Sequence, residues 1–280
     1  TSGSGTFSST TSATAVYTPS ANDITAGTVT LTLTTDDPTG PCNAAVDTMI
    51  LTISPTATAN AGNDASICST GTYTLAGSIG GVATSLIWTT SGTGSFSNAT
   101  SATAIYTPSA ADKTAGTVTL TLTTDDPAGT CTSATDSMVL TITPLPTATA
   151  GGSQTICANV TATVTGASAA NGTILWTHNG AGTLADATTL TPVYTPGAGD
   201  AGNSVTLTMT VTSNNSCNPA TATATYTVTV NPIPVANTPL NQTVCNTGTT
   251  AAIVLSSNTS GTTYAWTNSN TSIGLAASGT

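Results

Sequence analysis

Polar and apolar residues alternate along several stretches of the chain. Residues 117–123 are Thr-Val-Thr-Leu-Thr-Leu-Thr, residues 28–34 are the same seven residues, and residues 204–211 continue the pattern with Ser-Val-Thr-Leu-Thr-Met-Thr-Val. A strand places successive side chains on opposite faces of its sheet, so this period of two predicts half-buried strands with Val and Leu inward and Thr outward. No stretch shows the apolar stripe of a helix. The sequence therefore predicts an all-β fold.

Residues 55–143 contain about seven short predicted strands. They are residues 56–68 (interrupted at 62–64), 73–76, 85–89, 102–106, 117–123 and 137–143, with a Gly-rich, hairpin-like stretch at 91–96. Met138, Leu140 and Ile142 share one face of the last strand. Seven short strands with an aromatic residue on the third, here Trp88, are typical of an immunoglobulin-like β-sandwich.

Three tryptophans, Trp88, Trp176 and Trp266, are predicted to fill the cores of such sandwiches. Trp88 and Trp176 directly follow aliphatic residues in mid-strand, which favours burial between two sheets. Stacking on carbohydrate is the alternative role for these side chains.

Long stretches of the sequence occur more than once. Residues 90–143 repeat residues 1–54 with an offset of 90 − 1 = 89 positions, so that Phe7 corresponds to Phe96. The tryptophans continue this period, since 176 − 88 = 88 and 266 − 176 = 90. A repeat of this length is a whole small domain, and the sequence therefore predicts a tandem array of domains.

The period divides the chain into four predicted segments. They are residues 1–54, the C-terminal part of a repeat; 55–143 and 144–231, two complete repeats; and 232–280, the N-terminal part of a repeat. This division corresponds either to a window on a longer polymer or to a subunit whose halves are completed by its neighbours. Prolines follow the last strand of each unit at Pro55, Pro144 and Pro232, and they stiffen the junctions. We therefore predict tandem immunoglobulin-like β-sandwich domains arranged as a rod or filament.

Charged residues are scarce in this chain. They make up 4% of the sequence, with a net charge of −10, against roughly 25% in ordinary globular chains. One basic residue is too few for nucleic acid, which is bound by clustered Lys and Arg, and it disfavours anionic lipid as well. No apolar run reaches the length of a membrane-spanning helix, so no membrane insertion is predicted.

Catalysis has little chemical basis in this sequence. His178 is the single histidine, so a nucleophile–base pair with histidine could form at one place at most. The pairs Asp36-Asp37 and Asp125-Asp126 lie in predicted turns, where adjacent carboxylates do not converge on a substrate. The sequence predicts no enzyme, no catalytic residue and no organic cofactor.

The six cysteines form one regular pair per repeat. The two sets are Cys68, Cys157 and Cys245 before the second strand, and Cys42, Cys131 and Cys217 between the last two strands. Such regularity predicts disulfides and an oxidising compartment. Zinc is disfavoured, because the sequence has no Cys-x-x-Cys motif.

Strand direction determines which cysteines can meet. In an up-and-down sandwich the two cysteines of one repeat lie at opposite poles, roughly 25–30 Å apart, which exceeds the limit of about 7 Å between bridged Cα atoms. The facing poles of neighbouring repeats instead predict an inter-domain disulfide between Cys68 and Cys217. Under that scheme the remaining cysteines pair outside this sequence, namely Cys42, Cys131, Cys157 and Cys245. The alternative is two bridges within the domains, Cys68–Cys131 and Cys157–Cys217.

Acidic turn residues are candidate calcium ligands. Asp125, Asp126 and Asp64 lie near the poles where domains meet, and calcium prefers such oxygen ligands. The competing interpretation is that they are ordinary turn residues. The third repeat has Asn214-Asn215 in place of the aspartate pair, which weakens any equivalent site there.

Surface modification is a further prediction. A surface with so few charges is poorly protected against association between sheet edges, and attached sugar would protect it. Asn98 is a candidate for glycosylation, because it begins an Asn-x-Ser/Thr sequon. The other sequons begin at Asn159, Asn171, Asn214, Asn241, Asn258 and Asn270.

Several strings taken together resemble a known kind of repeat. They are residues 63–68 (Asn-Asp-Ala-Ser-Ile-Cys), 88–96 (Trp-Thr-Thr-Ser-Gly-Thr-Gly-Ser-Phe), 106–110 (Tyr-Thr-Pro-Ser-Ala) and 118–122 (Val-Thr-Leu-Thr-Leu). The combination resembles the PKD-like or immunoglobulin-like tandem repeats of Bacteroidota surface proteins, such as gliding-motility adhesins and related filament proteins. The resemblance covers essentially the whole chain.

The resemblance implies type IX secretion, an extracellular or cell-surface location, and an adhesive or stalk role. It also implies O-glycosylation at Asp-Ser/Thr-apolar sites, which makes Thr48 in Asp47-Thr48-Met49 and Ser137 in Asp136-Ser137-Met138 candidates. The third repeat departs from this pattern.

These observations together predict a structural extracellular fibre or adhesin stalk. Its expected partners are neighbouring repeats or further copies of itself, with glycans attached. The alternative is a surface module that binds carbohydrate or protein through its loops.

Overall fold

A computed structural model describes residues 1–37, 39–41, 43–125, 131–273 and 276–280. The chain divides into two compact units, Thr1–Pro144 and Leu145–Thr280. In the described part of the chain the helices have at most six residues, and none is long and apolar enough to cross a membrane.

Residues 1–54 form two strand pairs and one short helix. The elements are β1 (Thr6–Phe7), β2 (Tyr17–Thr18), α1 (Ala21–Ala26), β3 (Thr28–Thr34) and β4 (Val46–Thr52). Strand β1 pairs with β2, and β3 pairs with β4 along its whole length, both antiparallel.

Residues 55–143 form a complete β-sandwich. The elements are β5 (Thr58–Asn60), β6 (Ala65–Cys68), β7 (Tyr73–Thr74), β8 (Ser78–Gly80), β9 (Leu86–Thr90), β10 (Ser95–Phe96), β11 (Ile105–Thr107), α2 (Ala110–Ala115), β12 (Thr117–Thr124) and β13 (Thr135–Thr143). One sheet has four strands in the order β6-β13-β12-β9. Facing it are the three strands β10-β11-β7 and the pair β5-β8.

Residues 144–231 repeat this architecture. The elements are β14 (Thr147–Thr149), β15 (Ser153–Cys157), β16 (Ala162–Thr163), β17 (Ser168–Ala170), β18 (Gly172–His178), β19 (Thr183–Ala185), β20 (Val193–Thr195), a 3₁₀ helix (Ala198–Asp200), β21 (Ser204–Ser213) and β22 (Thr221–Asn231). The sheets are β15-β22-β21-β18, β16-β20-β19 and the pair β14-β17.

Residues 232–280 contain only short elements. They are β23 (Ala236–Asn237), β24 (Ser256–Ser257), β25 (Trp266–Thr267), a 3₁₀ helix (Thr271–Ile273) and β26 (Ser278–Gly279). Strand β23 pairs with β24, and β25 pairs with β26.

Each complete repeat has one hydrophobic core between its sheets. In residues 55–143 the core includes Met138, Leu140 and Ile142 on the inner face of β13, as the alternation predicts. Trp88 and Trp176 are buried in the cores of their repeats, which confirms their predicted role and excludes carbohydrate stacking for both. The fold class is confirmed as all-β, with tandem immunoglobulin-like β-sandwich domains.

Trp266 differs from the other two tryptophans, because it is only partly buried. Among the described residues its strand β25 pairs with β26 alone. In the complete repeats, the corresponding strands β9 and β18 lie in four-stranded sheets that help to enclose the indole.

The first predicted strand, residues 56–68, is in fact two strands in different sheets. Strand β5 pairs with β8, whereas β6 runs parallel to β13. The chain changes sheet at Gly62, whose φ of 85° lies in the left-handed region that favours glycine. The interruption predicted at residues 62–64 marks this step, but the alternation of side chains is the same on both sides, so the pattern did not show that the two halves lie in different sheets.

Two short helices depart from the expectation that the chain contains none. In α2 the hydroxyl of Ser109 accepts the backbone N–H of Asp112, the Asp112 side chain accepts the N–H of Ser109, and Gly116 ends the helix with φ of 77°. Helix α1 has the same caps. Six residues are too few for an apolar period to appear, so the caps are the signal that the sequence offered.

Candidate functional site

Three aspartates are buried at equivalent places in the repeats. Asp23, Asp112 and Asp200 are 3%, 2% and 3% exposed, and they are 112 − 23 = 89 and 200 − 112 = 88 residues apart. Each follows a tyrosine by six residues within a Tyr-Thr-Pro-x-x-x-Asp string. We call each buried aspartate, with its tyrosine and hydrogen-bond donors, a carboxylate hub.

The hub of residues 55–143 joins three parts of the sandwich. Asp112 Oδ2 accepts hydrogen bonds from the Tyr106 hydroxyl at 2.8 Å and from the backbone N–H of Ser109 at 2.9 Å. Asp112 Oδ1 accepts the backbone N–H of Thr93 at 2.9 Å. One carboxylate therefore fixes the loop between β9 and β10, the strand β11 and the start of α2.

The hub of residues 1–54 has the same form. Asp23 accepts hydrogen bonds from the Tyr17 hydroxyl at 2.8 Å and from the backbone N–H groups of Ser4, Gly5 and Ser20 at 2.8–2.9 Å. The same hydrogen-bond arrangement therefore recurs in this segment.

The third hub keeps the carboxylate but changes its surroundings. Asp200 accepts hydrogen bonds at 2.7 Å from the Tyr194 hydroxyl and the N–H groups of Ala181 and Gly197. Gly197 stands where the other repeats have serine, so no side chain caps the following turn, which is a 3₁₀ helix instead of an α-helix.

A Gly-x-Gly string precedes every hub. A Cβ on Gly92 would overlap the Asp112 carboxylate, and a Cβ on Gly94 would overlap the Tyr106 hydroxyl. Gly3 and Gly5 stand in the same relation to the first hub, and Gly180 and Gly182 to the third. The Gly-rich stretch predicted as hairpin-like is therefore glycine-rich because the backbone passes directly over the carboxylate.

Hydrogen bonding keeps the buried carboxylates ionised. Burial alone would raise the pKa of Asp112, but the hydrogen bonds from Thr93, Ser109 and Tyr106 outweigh burial and lower that pKa below its ordinary value of 3.8. The pKa of Asp200 is lowered in the same balance between burial and hydrogen bonding. Backbone hydrogen bonding from Ser20 is the largest cause of the lowered pKa of Asp23.

The pKa values of Tyr106 and Tyr194 shift in the opposite direction. Burial, reinforced by the hydrogen bond to ionised Asp200, raises the pKa of Tyr194 to about 12. Burial also raises the pKa of Tyr106. At neutral pH these two hubs are therefore fixed arrangements of a protonated tyrosine donor and an ionised aspartate acceptor. Neither group is tuned near neutrality for proton transfer.

Asp23, Asp112 and Asp200 were not predicted as site residues from the sequence. A tyrosine and an aspartate six residues apart, occurring three times behind a Gly-x-Gly string, was the signal available. Burial of the carboxylate is a property of the folded chain, because a lone aspartate in a polar stretch is ordinarily exposed.

His178 lies close to the third hub rather than on the exposed surface expected for a residue after a strand. It is the last residue of β18, it is partly buried, and its ring lies 5.1 Å from that of Tyr194. Thr90 holds the equivalent place in the previous repeat, with its hydroxyl 3.1 Å from the Tyr106 oxygen. In both complete repeats, the side chain at this position therefore lies next to the hub tyrosine.

Two of the candidate calcium ligands accept hydrogen bonds from backbone N–H groups. Asp125 accepts hydrogen bonds from the Thr84 hydroxyl at 2.6 Å and from the N–H groups of Thr84 and Ser85 at 2.9 and 3.0 Å, and these lower its pKa. Asp64 accepts the N–H of Val139 at 2.7 Å. Asp126 lies outside the described residues. Within the described ranges no three His, Cys or Asp side chains form a cluster that could hold a metal.

The cysteines differ in their bonding state. Cys68 and Cys217 are disulfide-bonded, whereas Cys131, Cys157 and Cys245 are free thiols. The alternative with bridges Cys68–Cys131 and Cys157–Cys217 is therefore not formed. Cys42 lies outside the described residues.

The glycosylation candidates lie on the surface. Thr48 in β4, Ser137 in β13 and Asn98 are all exposed. The Asn98 amide oxygen accepts hydrogen bonds from the backbone and hydroxyl of Thr100, so the sequon forms a local turn. Modification of these residues stays a prediction.

No family model matches the chain, and no curated protein is significantly similar to it in sequence. Solved structures with a similar course of the chain are extracellular cadherin repeats. The protocadherin GammaB4 extracellular domain is 14% identical over 81% of this chain and 43% of its own, with a TM-score of 0.42. Mouse cadherin-23 EC22-24 is 12% identical over 78% of this chain and 79% of its own, with a TM-score of 0.40.

The human desmocollin-1 ectodomain is 13% identical over 81% of this chain and 52% of its own, with a TM-score of 0.39. The chain thus spans about half or less of the protocadherin and desmocollin chains it matches. Structural similarity at these identities and TM-scores gives no evidence about function.

We expect Tyr106→Phe to destabilise the repeat by about 1–3 kcal/mol, because it removes a donor from a buried carboxylate. Urea unfolding with hydrogen exchange read on peptides from residues 102–124 measures this loss. Tyr73→Phe, which removes a hydroxyl on β7 outside the hub, is the matched control and should cost less. Equal effects of the two variants would contradict a special role for the hub.

We expect Asp112→Asn to remove part of the pH dependence of stability. The pKa of folded Asp112 is lowered, so its contribution is complete above the unfolded pKa of about 4 and is lost as the pH falls towards the folded value. The unfolding free energy of wild type should therefore fall between about pH 4.5 and 2 more steeply than that of Asp112→Asn. Exposed Ser133→Asn, which keeps every carboxylate, should retain the wild-type slope. An unchanged slope for Asp112→Asn would show that Asp112 titrates normally.

Proposed function

We propose that this chain is part of a structural extracellular fibre or adhesin stalk, built from tandem immunoglobulin-like repeats. The observation that carries the proposal is the parallel pairing of the last strand of each complete repeat with a strand near the N-terminal end of that repeat. Strand β6 runs parallel to β13, and β15 runs parallel to β22. The chain enters a repeat near one of these strands and leaves it after the other.

Parallel pairing determines how a pulled repeat breaks. Force applied at the two ends of residues 55–143 draws β6 and β13 in opposite directions along their common axis. The hydrogen bonds of the register from Ala65–Leu140 to Cys68–Thr143 are then loaded together in shear, rather than opened one at a time. This is the behaviour that a stalk under tension requires.

The carboxylate hubs support the same role. The hubs of the two complete repeats tie the loop after β9 or β18 to the turn before β12 or β21. Strands β12 and β21 in turn pair with β13 and β22, which carry the parallel ladder. The module recurs with the buried aspartate and its tyrosine retained each time, and a stalk needs repetition of one stable unit.

We include a Cys68–Cys217 cross-link in the proposal. Both cysteines are disulfide-bonded, and the partners required by the intradomain alternative are free. Such a bridge would join residues of successive repeats and limit the extension of the 217 − 68 = 149 residues between them.

The finer assignment also belongs to this proposal. We infer a PKD-like Bacteroidota surface protein, exported by type IX secretion and acting in contact with neighbouring repeats or copies. Its support is the sequence resemblance, together with exposed Thr48 and Ser137 at the expected modification strings. Calcium at the repeat poles remains a prediction, with Asp64 and Asp125 already serving as backbone acceptors.

Single-molecule pulling of the reduced chain through its two ends tests the function. We expect two main unfolding events, each releasing about 300 Å of chain for a repeat of 88 or 89 residues. Ile67→Pro in β6 should lower one force peak, because proline interrupts the parallel ladder. Ile79→Pro, in the antiparallel pair β5-β8, should lower that peak less at a similar loss of thermal stability. Gradual extension of wild type without force peaks would refute the mechanical role.

Peptide mapping under non-reducing conditions tests the cross-link. We expect a linked pair of peptides containing Cys68 and Cys217, and free thiols at Cys131, Cys157 and Cys245. Reduction should separate the pair. A different partner for either cysteine would disprove the proposed bridge without affecting the shear argument.

A further inference from the structure

Strand β15 forms one outer edge of the four-stranded sheet in residues 144–231. In the order β15-β22-β21-β18 it pairs only with β22 among the described residues, in a parallel register. The side chains of Ser153, Thr155 and Cys157 lie on the outer face of the sheet and are exposed. An edge strand presents a row of backbone N–H and C=O groups to any strand that can lie beside it.

The backbone hydrogen bonds show which groups of β15 point away from the sheet. Gly152 and Ala158 both bond to β22, the first through its C=O at 3.3 Å and the second through its N–H at 2.9 Å. Successive residues of a strand direct their N–H and C=O groups to opposite sides, so every second residue from Gly152 to Ala158 bonds to β22. The residues between them, Ser153, Thr155 and Cys157, therefore direct their backbone groups away from β22.

These outward groups are available to a further strand. In the described structure the N–H and C=O of Ser153 and of Thr155 and the N–H of Cys157 have no hydrogen-bond partner, whereas the Cys157 C=O accepts the N–H of Val160 at 2.9 Å. Natural edges are ordinarily protected by charge, proline or a bulge. Strand β15 has none of these, since residues 153–157 are Ser-Gln-Thr-Ile-Cys and the register with β22 is unbroken.

The opposite edge of the same sheet is covered by a loop. The N–H of Trp176 in β18 donates to the C=O of Ala187 at 2.7 Å, and in the preceding repeat the N–H of Trp88 in β9 donates to the C=O of Ala99 at 2.8 Å. A strand from elsewhere would have to displace this loop. The β15 edge needs no such displacement.

Charge favours a second copy of this chain as the partner. The chain has a net charge of −10, so two copies repel each other wherever their aspartates approach. Residues 144–231 contain no Lys or Arg, and their acidic residues are Asp186 and Asp200. Asp200 is buried in its hub, and Asp186 follows β19 in the other sheet. The neutral β15 edge offers no charge to a basic or acidic partner and lets two acidic copies meet with little repulsion.

We propose that the β15 strands of two copies pair antiparallel about a two-fold axis at Thr155 and join two four-stranded sheets into one of eight strands. Thr155 of one copy then lies opposite Thr155 of the second, and Ser153 lies opposite Cys157. The outward N–H and C=O groups of all three residues gain partners in this register. A two-fold contact uses the same patch on both copies, so one open edge per repeat is sufficient.

The contact goes beyond the proposed stalk, because it would join neighbouring fibres side by side. It rests on the stalk only for this biological meaning. The pulling experiment can succeed while the trapping experiment below fails, and the reverse.

The test is thiol trapping with the full chain. The background carries serine substitutions at Cys42, Cys131, Cys157 and Cys245. Thr155→Cys is added, and the protein is treated with a short bis-methanethiosulfonate cross-linker. We expect a linked dimer on non-reducing gels and no longer species, because a two-fold contact is closed and opposed Cα atoms of such a pair lie about 5.5 Å apart.

Matched controls test the register and the edge. Ser153→Cys in the same background sets the two thiols about 14 Å apart along the strands and should give roughly tenfold less dimer. Retaining Cys157 in that variant places a thiol opposite each introduced one and should restore the dimer. Thr177→Cys, exposed on the covered strand β18, should give as little dimer as Ser153→Cys alone.

Charge at the axis gives a second measurement. In the variant with Ser153→Cys and native Cys157, Thr155→Lys should lower the yield of dimer several-fold, because equal charges then face each other across the axis. Thr155→Asp should act in the same way, and a mixture of the two proteins should link again. Thr155→Val keeps the edge neutral and should link normally. Urea unfolding of each variant verifies that this exposed position tolerates the change.

Three results would overturn the proposal. A yield of dimer from Thr155→Cys no higher than that from Thr177→Cys would show that the edge makes no contact between copies and leaves it to another partner. Longer linked species, or equal yields from Thr155→Cys and Ser153→Cys, would show random collision. Equal linking in the Lys, Asp and mixed samples would show that Thr155 does not lie on the axis.

Discussion

A buried carboxylate must be surrounded by hydrogen-bond donors, and this requirement organises each repeat. Asp112 cannot be ionised in the interior unless the loop at Thr93, the hydroxyl of Tyr106 and the N–H of Ser109 all converge on it. Those donors belong to elements far apart along the chain. Hydrogen bonding to this one carboxylate therefore fixes the loop after β9, the position of β11 and the start of α2, which leads into β12.

The long strands then provide both the core and the mechanical axis. Strand β12 holds Val118, Leu120 and Leu122 inward and pairs on both sides, with β13 and β9. Strand β13 joins β12 to β6, so the last strand of the repeat is coupled to a strand near its N-terminal end through a few parallel hydrogen bonds. A fold with its ends paired in this way converts tension into shear, which is why the stalk is the function that its topology supports best.

The same dependence on a complete set of strands explains the two incomplete segments. Residues 1–54 keep their hub and helix, so their backbone is held, but Leu33 and Met49 stay largely exposed. Among the described residues of 232–280, Trp266 lies on the short strand β25, which pairs with β26, and its indole is only partly buried.

The sequence by itself determined the period, the all-β class and the identity of most core residues, because side-chain alternation and internal repetition are local properties. Met138, Leu140 and Ile142, and the burial of Trp88 and Trp176, followed from that alternation alone. Sequence alternation could not show that residues 56–68 divide between two sheets, since both halves keep the same period. The buried state of Asp23, Asp112 and Asp200, the parallel pairing of β6 with β13, and the exposure of Leu33 were decided only in the tertiary structure, because each depends on groups brought together from distant parts of the chain.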